Sequence, residues 1–272
     1  LRVRSLLSTE VEGENLLLNF SSEMAEALAT KVFYLNSAGE KQEQEVARGD
    51  NQIKITDWKP RGAYEVKTYY IPEVNAVDTF SVSSTGVFPE KIVEMDKSTF
   101  REIILDNDIP MNAWGHWLSK IWNGSHNYGD GWDMAHSPQD NQTMPIWFTF
   151  DLGVTTHLSR YLYWQRLDDS FLYQHGNMKE WEVWGRADKP DQSGSWDGWT
   201  LLTTCESYKP SGLPAGQISN EDKEYASAGE EFIFPTDAPA VRYIRFKALS
   251  TFTGVKFIHL MEVTFYGKPV ET

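Results

Sequence analysis

Residues 145–153 read PIWFTFDLG, and this short stretch decides how the rest of the chain is interpreted. Its apolar side chains alternate as they do in a β-strand, with the two phenylalanines on one face and Trp147 and Thr149 on the other. Gly153 can turn the chain after the strand without strain from a Cβ atom. We therefore predict a strand that covers a core with one of its faces.

The segment before this strand is rich in aromatic residues. Residues 113–144 read AWGHWLSKIWNGSHNYGDGWDMAHSPQDNQTM, which holds too much Gly, Asn and Asp for a helix. Aromatic side chains that loops hold beside a rigid strand form a recognition surface. We expect part of a binding site here.

Strand patterns recur over the second half of the chain without a long 3.6-residue period. They cover residues 147–151, 158–165, 179–185, 199–203, 231–234, 241–248 and 259–266. Such a series predicts an all-β domain, and a two-sheet jelly roll of about eight strands is the economical architecture at this length.

The first part of the chain predicts a separate domain. Residues 1–85 show short strand patterns between turn signals, as in a small β-sandwich. Ser, Gly and Pro residues indicate a linker, assigned to residues 86–97, so that the second domain covers residues 98–272. Residues 23–30, EMAEALAT, have the helical propensity for one or two turns. The predicted fold class is all-β, with two sandwich domains in tandem.

Composition excludes several classes of partner. A formal net charge of −14 argues against nucleic acid and anionic membranes, which the bulk electrostatic field of the protein would repel.

The lone Cys205 cannot form an intramolecular disulfide, and we expect a buried thiol. No apolar run approaches the ~20 residues of a membrane helix. Because the chain begins at Leu1, we expect a removed targeting segment and an exported protein.

Four pieces of the second domain, in this order, resemble the discoidin or coagulation-factor type C fold, which includes the family 32 carbohydrate-binding modules. They are Ile121-Trp122-Asn123-Gly124 with Trp132, the strand at 145–153, residues 178–185 (MKEWEVWG) leading to Gly198-Trp199, and residues 241–246 (VRYIRF) with 262–267 (EVTFYG). The resemblance covers most of residues 98–268. It implies a jelly roll that binds sugars, lipids or proteins through loops at one end.

Residues 64–80 resemble the end of fibronectin-III-like repeats in exported lipoproteins of gut bacteria that degrade polysaccharides. This resemblance implies that residues 1–85 are a fibronectin-III-like spacer. Together the two resemblances imply a cell-surface lipoprotein of a Gram-negative bacterium, with its anchor outside this chain. The implied partners are a glycan and other outer-membrane proteins of polysaccharide uptake.

The resemblance also implies that the loop at residues 165–177 contributes to the binding end. Arg166 follows a strand where related sugar binders keep an Arg, and Asn177 precedes the next strand where they place an Asn. The loop holds three further candidates for aromatic or hydrogen-bonding contacts: Phe171, Tyr173 and His175. The alternatives are an ion pair of Arg166 with Asp168 or Asp169 and simple loop packing of the two aromatics.

Four more candidates lie in the aromatic segment: Trp114, His116, Trp117 and His136. The first three occupy a Gly-containing loop, where an aromatic platform and packing beneath the barrel are equal alternatives. Trp132 is expected to pack inward. The tryptophans at the packing positions of the family are assigned to the core: Trp122, Trp147, Trp181 and Trp199.

Sugar-binding relatives often hold a structural Ca²⁺ with carbonyls, an Asp and a Glu of the last strand. Asn123 stands where that Asp is expected, and Glu262 matches the Glu. Because the loss of one carboxylate weakens an oxygen site, calcium is an option here and no other cofactor is expected.

The sequence does not indicate an enzyme. The six histidines lack zinc-enzyme spacing, and no nucleophile elbow or cysteine-protease pattern occurs. The acidic pairs Asp168-Asp169 and Asp130/Asp133 could serve a glycosidase, although such pairs are far more often solvated. We therefore predict a non-catalytic, cell-surface glycan-binding protein. Protein–protein adhesion or scaffolding is the alternative, and a glycoside hydrolase is a third option.

Overall fold

The computed structural model describes residues 4–21, 27–71, 75, 77–140 and 142–270. The chain divides into two compact units, unit 1 (residues 1–91) and unit 2 (residues 92–272). Strands dominate both units, so the predicted all-β class is confirmed. Among the described residues, no helix has the length and apolar character to cross a membrane.

The described residues of unit 1 form seven strands: β1 (Leu6–Glu12), β2 (Asn15–Phe20), β3 (Ala27–Leu35), β4 (Lys41–Val46), β5 (Gln52–Ile55), β6 (Ala63–Tyr70) and β7 (Phe80–Val87). They form two antiparallel sheets with the orders β1-β2-β5 and β4-β3-β6-β7. Alternation explains the core, because every second residue of β2, Leu16, Leu18 and Phe20, is buried.

The helix expected at residues 23–30 is contradicted where the structure describes it. Ala27 begins β3, and Thr30 pairs with Thr68 of β6. Residues 23–26 lie outside the described residues. Pairing with neighbouring strands outweighs the weak helical propensity of this short segment.

Residues 86–97 do not form the expected linker. Phe88 is buried in the core of unit 1, where the ring of Tyr64 stacks on it with centroids 4.9 Å apart. Strand β8 (Val93–Glu94) already pairs with the last strand of unit 2, and the Met95 amide donates to the Phe265 carbonyl. The residues on either side of position 91 therefore belong to the folded units.

Where the structure describes unit 2, it contains ten strands, one α-helix and short 3₁₀ turns at Lys97–Thr99, Ala113–Gly115 and Leu118–Trp122. After β8 come β9 (Arg101–Ile103), β10 (Ala135–His136), β11 (Ile146–Trp164), β12 (Met178–Arg186), β13 (Thr200–Glu206), α1 (Asn220–Ala228), β14 (Glu230–Ile233), β15 (Val241–Thr251), β16 (His259–Leu260) and β17 (Glu262–Pro269). The main sheet has the order β13-β12-β15-β11-β17-β8, with β9 and β14 also paired to β11.

Strand β11 organises unit 2 because it belongs to two layers. Its first half pairs with β15 and β9, and its second half pairs with β17 and β14. The register shifts between Asp151 and Thr156, where Gly153 has φ 81° and a Cβ would lie 2.4 Å from the Thr99 carbonyl oxygen. The strands expected at 147–151 and 158–165 are therefore one bent strand, which makes the sandwich continuous.

The phenylalanines of β11 lie on the face that covers the core, as predicted, but the assignment of Trp147 to the core is wrong. Phe148 and Phe150 are buried in the core, while Trp147 is half-buried on the opposite face. The helix α1 was not expected, because its sequence is short and polar. Its signal is a capping box, in which the Ser219 hydroxyl accepts from the Asp222 amide at 3.1 Å and the Asp222 carboxylate accepts from the Ser219 amide at 3.0 Å.

Candidate functional site

An open pocket of about 410 Å³ lies beside β10 in unit 2. Six of the nine predicted ligand-binding residues line it: Trp114, His116, His136, Arg166, Phe171 and His175. Trp132, Met134 and Gln139 complete its walls. We call this site the Arg166 pocket.

Strand pairing brings the walls together from distant parts of the sequence. His136 pairs directly with His259 across β10 and β16. Isolated bridges join Asn112 to His136 and Asn177 to His259. The loop after β11 and the aromatic loop before β10 thus meet at the short β16 strand, which the chain order alone does not reveal.

Three rings of a four-ring column line the pocket, and the fourth ring packs behind them. The Trp132 ring stacks on His116 with centroids 5.5 Å apart, and His116 stacks on His136 at 6.0 Å. His136 in turn stacks on Phe257 at 5.5 Å. Trp132 is 69% exposed, so the expectation that it packs inward is wrong. Its ring caps the column and presents its other face to solvent.

Two residues of the pocket have a left-handed backbone that non-glycine residues rarely adopt. Trp114 has φ 53° and His175 has φ 55°. Such conformations cost on the order of 1–3 kcal/mol each and persist only where the surrounding structure imposes them. The backbone therefore directs the 62%-exposed Trp114 ring and the His175 ring towards the pocket at an energetic cost.

Arg166 is the one charged residue among the described residues that line the pocket. Its guanidinium carbon lies 3.4 Å from the centre of the Phe171 ring and 5.3 Å from that of Trp132. Its Nε donates to Asp168 Oδ2 at 3.2 Å, which confirms the ion pair considered above. Within the described part of the chain, its terminal nitrogens Nη1 and Nη2 have no hydrogen-bond acceptor, although the residue is only 4% exposed.

The histidines of the pocket are neutral at pH 7. Burial lowers the pKa of His136 to about 4, and burial together with the Arg166 charge lowers the pKa of His116 and of His175. Burial also holds the pKa of His259 well below its ordinary value. The Nδ1 atom of His136 lies 2.6 Å from the carbonyl of Ser137, to which it donates as Nδ1–H, so the Nε2 atom remains an acceptor.

Three of these histidines could in principle hold a transition metal, since ligand atoms of His136, His175 and His259 lie within 4.8 Å of one another. Two contacts oppose this. The Gly176 amide donates to His259 Nε2 at 3.1 Å, and His175 Nδ1 lies 3.1 Å from the same atom. The Arg166 charge, which disfavours protonated histidine here, also disfavours a bound dication. Hydrogen bonding accounts for the position of His259 Nε2 without an ion, whereas the buried Nδ1 atom of His259 has no partner among the described residues.

The residues expected for calcium, Asn123 and Glu262, do not form an open oxygen site. Glu262 is fully buried, and Lys97 Nζ donates to its Oε1 at 2.8 Å and to Thr264 Oγ1 at 2.7 Å. The Gly124 amide donates to the other oxygen of Glu262 at 2.9 Å. The Asn123 amide group donates to Asp133 at 3.0 Å. An ammonium group thus contacts the carboxylate that was considered as a calcium ligand, and these residues do not fit the ion.

Three predicted ligand-binding residues lie outside the pocket walls. Tyr173 is fully buried in a hydrophobic cluster with Leu172 and Met261. Asn177 is also fully buried, accepts from the Arg166 amide at 2.9 Å and donates to the Phe171 carbonyl at 2.8 Å. These two residues shape the loop rather than its surface.

Trp117 is 53% exposed but lines a separate small cavity beside Leu118 and Met111. It begins the 3₁₀ turn Leu118–Trp122, which leads its side chain away from the pocket. The structure therefore separates two tryptophans, Trp114 and Trp117, that the sequence analysis treated as one platform.

Sequence reasoning missed several participants, namely Trp132, Met134, Gln139, Phe257 and His259. The cross-strand pair of β10 and β16 is too short to recognise by alternation. Gly176 is the best local signal, because a Cβ there would lie 2.9 Å from both Phe257 and His259. A glycine at the end of the loop thus marks its close approach to β16.

Depressions of larger volume elsewhere on the chain differ from the Arg166 pocket in the residues that line them. One of about 600 Å³ lies among residues 186–197 and has no aromatic residue in its described lining. Another, of about 520 Å³, lies on unit 1 beside Tyr34 and Tyr64. Neither holds an open arginine flanked by exposed tryptophans.

Family models match both parts of the chain. DUF5000, described as a domain of unknown function, matches residues 122–267, and DUF4998, described in the same words, matches residues 1–80. No curated protein matches the chain.

Solved structures also resemble this chain. A SusE-like protein is 36% identical, and the match covers 97% of this chain and 96% of that one with a TM-score of 0.66. The domain CBM32-3 of a family 31 glycoside hydrolase from Clostridium perfringens is 21% identical over 64% of this chain and 95% of its own, with a TM-score of 0.46. An F5/8 type C domain from Bacteroides fragilis is 13% identical over 67% of this chain and 100% of its own, with a TM-score of 0.43. The SusE-like match spans nearly the whole chain and the DUF5000 match more than half of it, so the chain belongs to the SusE-like proteins and carries a DUF5000 domain in unit 2.

Proposed function

We propose that this chain is a non-catalytic, cell-surface glycan-binding protein that binds an oligosaccharide or polysaccharide in the Arg166 pocket. One observation carries the proposal. Two tryptophans that are more than 60% exposed, Trp114 and Trp132, flank an arginine whose terminal nitrogens have no acceptor within the described residues. A soluble protein has no structural reason to keep such a group of side chains open to water.

The chemistry of the pocket suits a sugar. Pyranose rings have apolar C–H faces that stack on aromatic rings and hydroxyl groups that need both donors and acceptors. Trp114 and Trp132 supply ring faces, and Arg166 supplies donors. The neutral His136 supplies an acceptor in its Nε2 atom, because Ser137 occupies the other ring nitrogen. Shallow platforms bury little of a ligand, so we expect modest affinity.

The carboxylates nearest the pocket have other partners, which favours binding over hydrolysis. Asp168 accepts from Arg166 Nε and from the Ser170 amide. Asp169 accepts from the Tyr128 hydroxyl at 2.6 Å and forms an ion pair with Lys223 at 2.7 Å. A glycosidase needs two carboxyl groups free to act on opposite sides of one bond.

The cellular location is inferred from the two family resemblances of the sequence and from the similarity to the SusE-like protein. We infer that the protein is exported, is anchored as a lipoprotein on the surface of a Gram-negative bacterium, and works beside other outer-membrane proteins of polysaccharide uptake. Unit 2 is interpreted as a discoidin-like module. Unit 1 is interpreted as a fibronectin-III-like spacer, an interpretation supported by its three-stranded and four-stranded antiparallel sheets.

Affinity electrophoresis in gels that contain single polysaccharides, together with a glycan array, tests this function. The informative variant is Trp114→Ala/Trp132→Ala, which removes both exposed rings of the pocket. Trp117→Ala is the matched control, because Trp117 is similarly exposed but lies outside the pocket. We expect at least one glycan to retard the wild type and the control but not the double variant.

Equal retardation of all three proteins would place glycan binding elsewhere on the chain. The absence of retardation by any glycan, with all three proteins folded, would refute glycan binding and leave protein–protein adhesion as the leading alternative.

A further inference from the structure

The bonding of the Arg166 side chain narrows the class of sugar. Its Nε edge is occupied by Asp168, while Nη1 and Nη2 face the cavity without an acceptor among the described residues. Neither nitrogen is sealed from solvent, so an acceptor on a ligand can replace water there without breaking a hydrogen bond within the protein. We propose that the pocket recognises a sugar unit that carries a carboxylate, bound by the terminal nitrogens of Arg166. This inference rests on the proposed glycan-binding function and adds the chemical class of the ligand.

The geometry of the guanidinium favours a planar anion. Phe171 stacks against the group at 3.4 Å, and Asp168 holds its Nε, so both the plane and the direction of the group are constrained. The fork of Nη1 and Nη2 matches the two oxygens of a carboxylate and forms two parallel charge-assisted hydrogen bonds with it. A single hydroxyl group would satisfy only part of this fork.

The pocket walls are free of acidic groups that would repel such a ligand. No Asp or Glu occurs among its described lining residues, although the chain contains 39 acidic residues. The carboxylate closest to the guanidinium, Asp168, is bonded to Nε, and its second oxygen accepts from the Ser170 amide. The net charge of the chain predicts that anions are repelled. At this pocket, however, the charged group that faces a ligand is the Arg166 guanidinium, which still has open hydrogen-bond donors.

The overall charge still restricts the number of carboxylates. A net charge of −14 repels a polyanion along most of its length, while one acidic unit within a Debye length of Arg166 experiences mainly the local field. The expected ligand is therefore one acidic sugar unit on an otherwise neutral glycan, rather than a continuous polyuronate. The neutral histidines and the exposed tryptophans would then contact the hydroxyl groups and the ring face of this unit.

The test compares acidic sugars with their neutral counterparts by NMR or calorimetric titration of the whole chain. The probes are glucuronic acid against glucose, galacturonic acid against galactose, and N-acetylneuraminic acid, with acetate as the carboxylate alone. The variant is Arg166→Gln. Arg160→Gln is the matched control, because Arg160 also stacks on an aromatic ring, at 3.7 Å from the Tyr266 centroid, and also has an acidic partner, Glu231, yet lies outside the pocket.

We expect at least one acidic sugar to bind the wild type and Arg160→Gln about tenfold or more tighter than its neutral counterpart and than acetate. Added salt should weaken the acidic ligand but not the neutral one. In Arg166→Gln, with thermal unfolding as the check of folding, the preference should vanish and acidic and neutral sugars should differ by less than about twofold. The identity of the preferred acid would distinguish uronic from sialic acids.

Equal binding of acidic and neutral sugars to the wild type would overturn this inference and leave glycan binding intact. An acid preference that survives in folded Arg166→Gln would overturn the role of Arg166. If no sugar binds and no polysaccharide retards the protein, both this inference and the proposed function are refuted.

Discussion

Two arginines of unit 2 lie between aromatic rings, but only one of them faces a cavity. Arg166 contacts Phe171 and Trp132 and leaves its terminal nitrogens open. Arg245 is fully buried, with its guanidinium carbon 4.5 Å from the Trp196 ring centre and 4.3 Å from that of Trp199. The same contact between an arginine and aromatic rings therefore occurs once at an open pocket and once in the buried interior.

The hydrogen-bond partners of the two arginines explain the difference. Arg245 Nε donates to Thr149 Oγ1 at 3.0 Å and Nη1 donates to the Gly194 carbonyl at 3.2 Å. Its Nη2 has no hydrogen-bond partner among the described residues, but it lies 3.7 Å from the buried carboxylate of Asp108, which supplies the counter-charge. We call this arrangement, with the half-buried rings of Trp147, Trp184 and Trp196, the Arg245 cluster. Aromatic content alone therefore does not distinguish the two regions, whereas the open donors beside exposed rings in the Arg166 pocket do.

The largest expected effect concerns stability. Arg245→Met should lower the free energy of unfolding by about 3–5 kcal/mol, because it leaves Asp108 buried without its counter-charge. Arg166→Met should cost less than half as much, since Asp168 reaches solvent and keeps its bond from the Ser170 amide. Urea denaturation followed by Trp fluorescence measures both changes in unit 2, which holds all tryptophans except Trp58. Equal losses would contradict the distinction between a structural and an open arginine.

The second prediction concerns the pH dependence of the two regions, which should have opposite signs. The pKa of His136 is lowered to about 4, so between about pH 6.5 and 4 the unfolded chain binds a proton that the folded chain does not. Its contribution to stability falls as the pH is lowered through this window, by up to about 3 kcal/mol. Burial raises the pKa of Asp108 to about 6, against the opposing charge of Arg245, so the folded chain binds the extra proton. The contribution of Asp108 is lost as the pH rises from about 4 to 6.

The free energy of unfolding is measured for the wild type, His136→Asn and Asp108→Asn across this pH range. Subtracting each variant from the wild type isolates the contribution of the replaced residue, because the other titrating groups contribute equally to both proteins. Asparagine keeps a donor near the Ser137 carbonyl. Stability differences that both change in the same direction with pH would contradict the assignment.

The third prediction separates affinity from stability. Trp132→Ala should weaken glycan binding at least about tenfold, or about 1.4 kcal/mol, with less than about 1 kcal/mol lost in stability because the ring is 69% exposed. Trp196→Ala should leave affinity unchanged and cost about 2 kcal/mol in stability, since its ring packs against Trp147, Trp184 and Arg245. Titration and denaturation of the same two proteins measure both quantities. A loss of affinity in Trp196→Ala would extend the binding surface to the Arg245 cluster.

The smallest expected effect is that of added metal. Lys97 occupies the carboxylate of Glu262, and the Gly176 amide occupies the Nε2 atom of His259, so Ca²⁺, Zn²⁺ or a chelator should change the free energy of unfolding by less than about 0.5 kcal/mol. Thermal unfolding with and without each ion checks this. Stabilisation by Zn²⁺ that disappears in His175→Gln would instead reveal a metal site in the pocket, and stabilisation by Ca²⁺ that disappears in Glu262→Gln would restore the calcium interpretation.

Alternation made the all-β class predictable, because strands such as β2 bury one face and leave the other accessible. It did not reveal that two strand patterns on either side of Gly153 are one strand. The reason is that glycine is a turn signal in sequence, whereas here it lets the strand bend against the Thr99 carbonyl. A capping box also went unrecognised before α1, since the helix has little apolar periodicity.

By itself, the sequence determined the strand series, the aromatic segment and the loop that carries Arg166, because residue type and local spacing control these features. The tertiary structure decided which side chains share a pocket: it brought His136 beside His259, exposed Trp132, buried Tyr173 and Asn177, and led Trp117 elsewhere. It also placed the Lys97 ammonium on Glu262, the carboxylate considered for an optional calcium site. The physical reason is that solvent exposure and hydrogen-bond partners depend on pairings between segments far apart in the chain, and period-two alternation carries no information about such pairings.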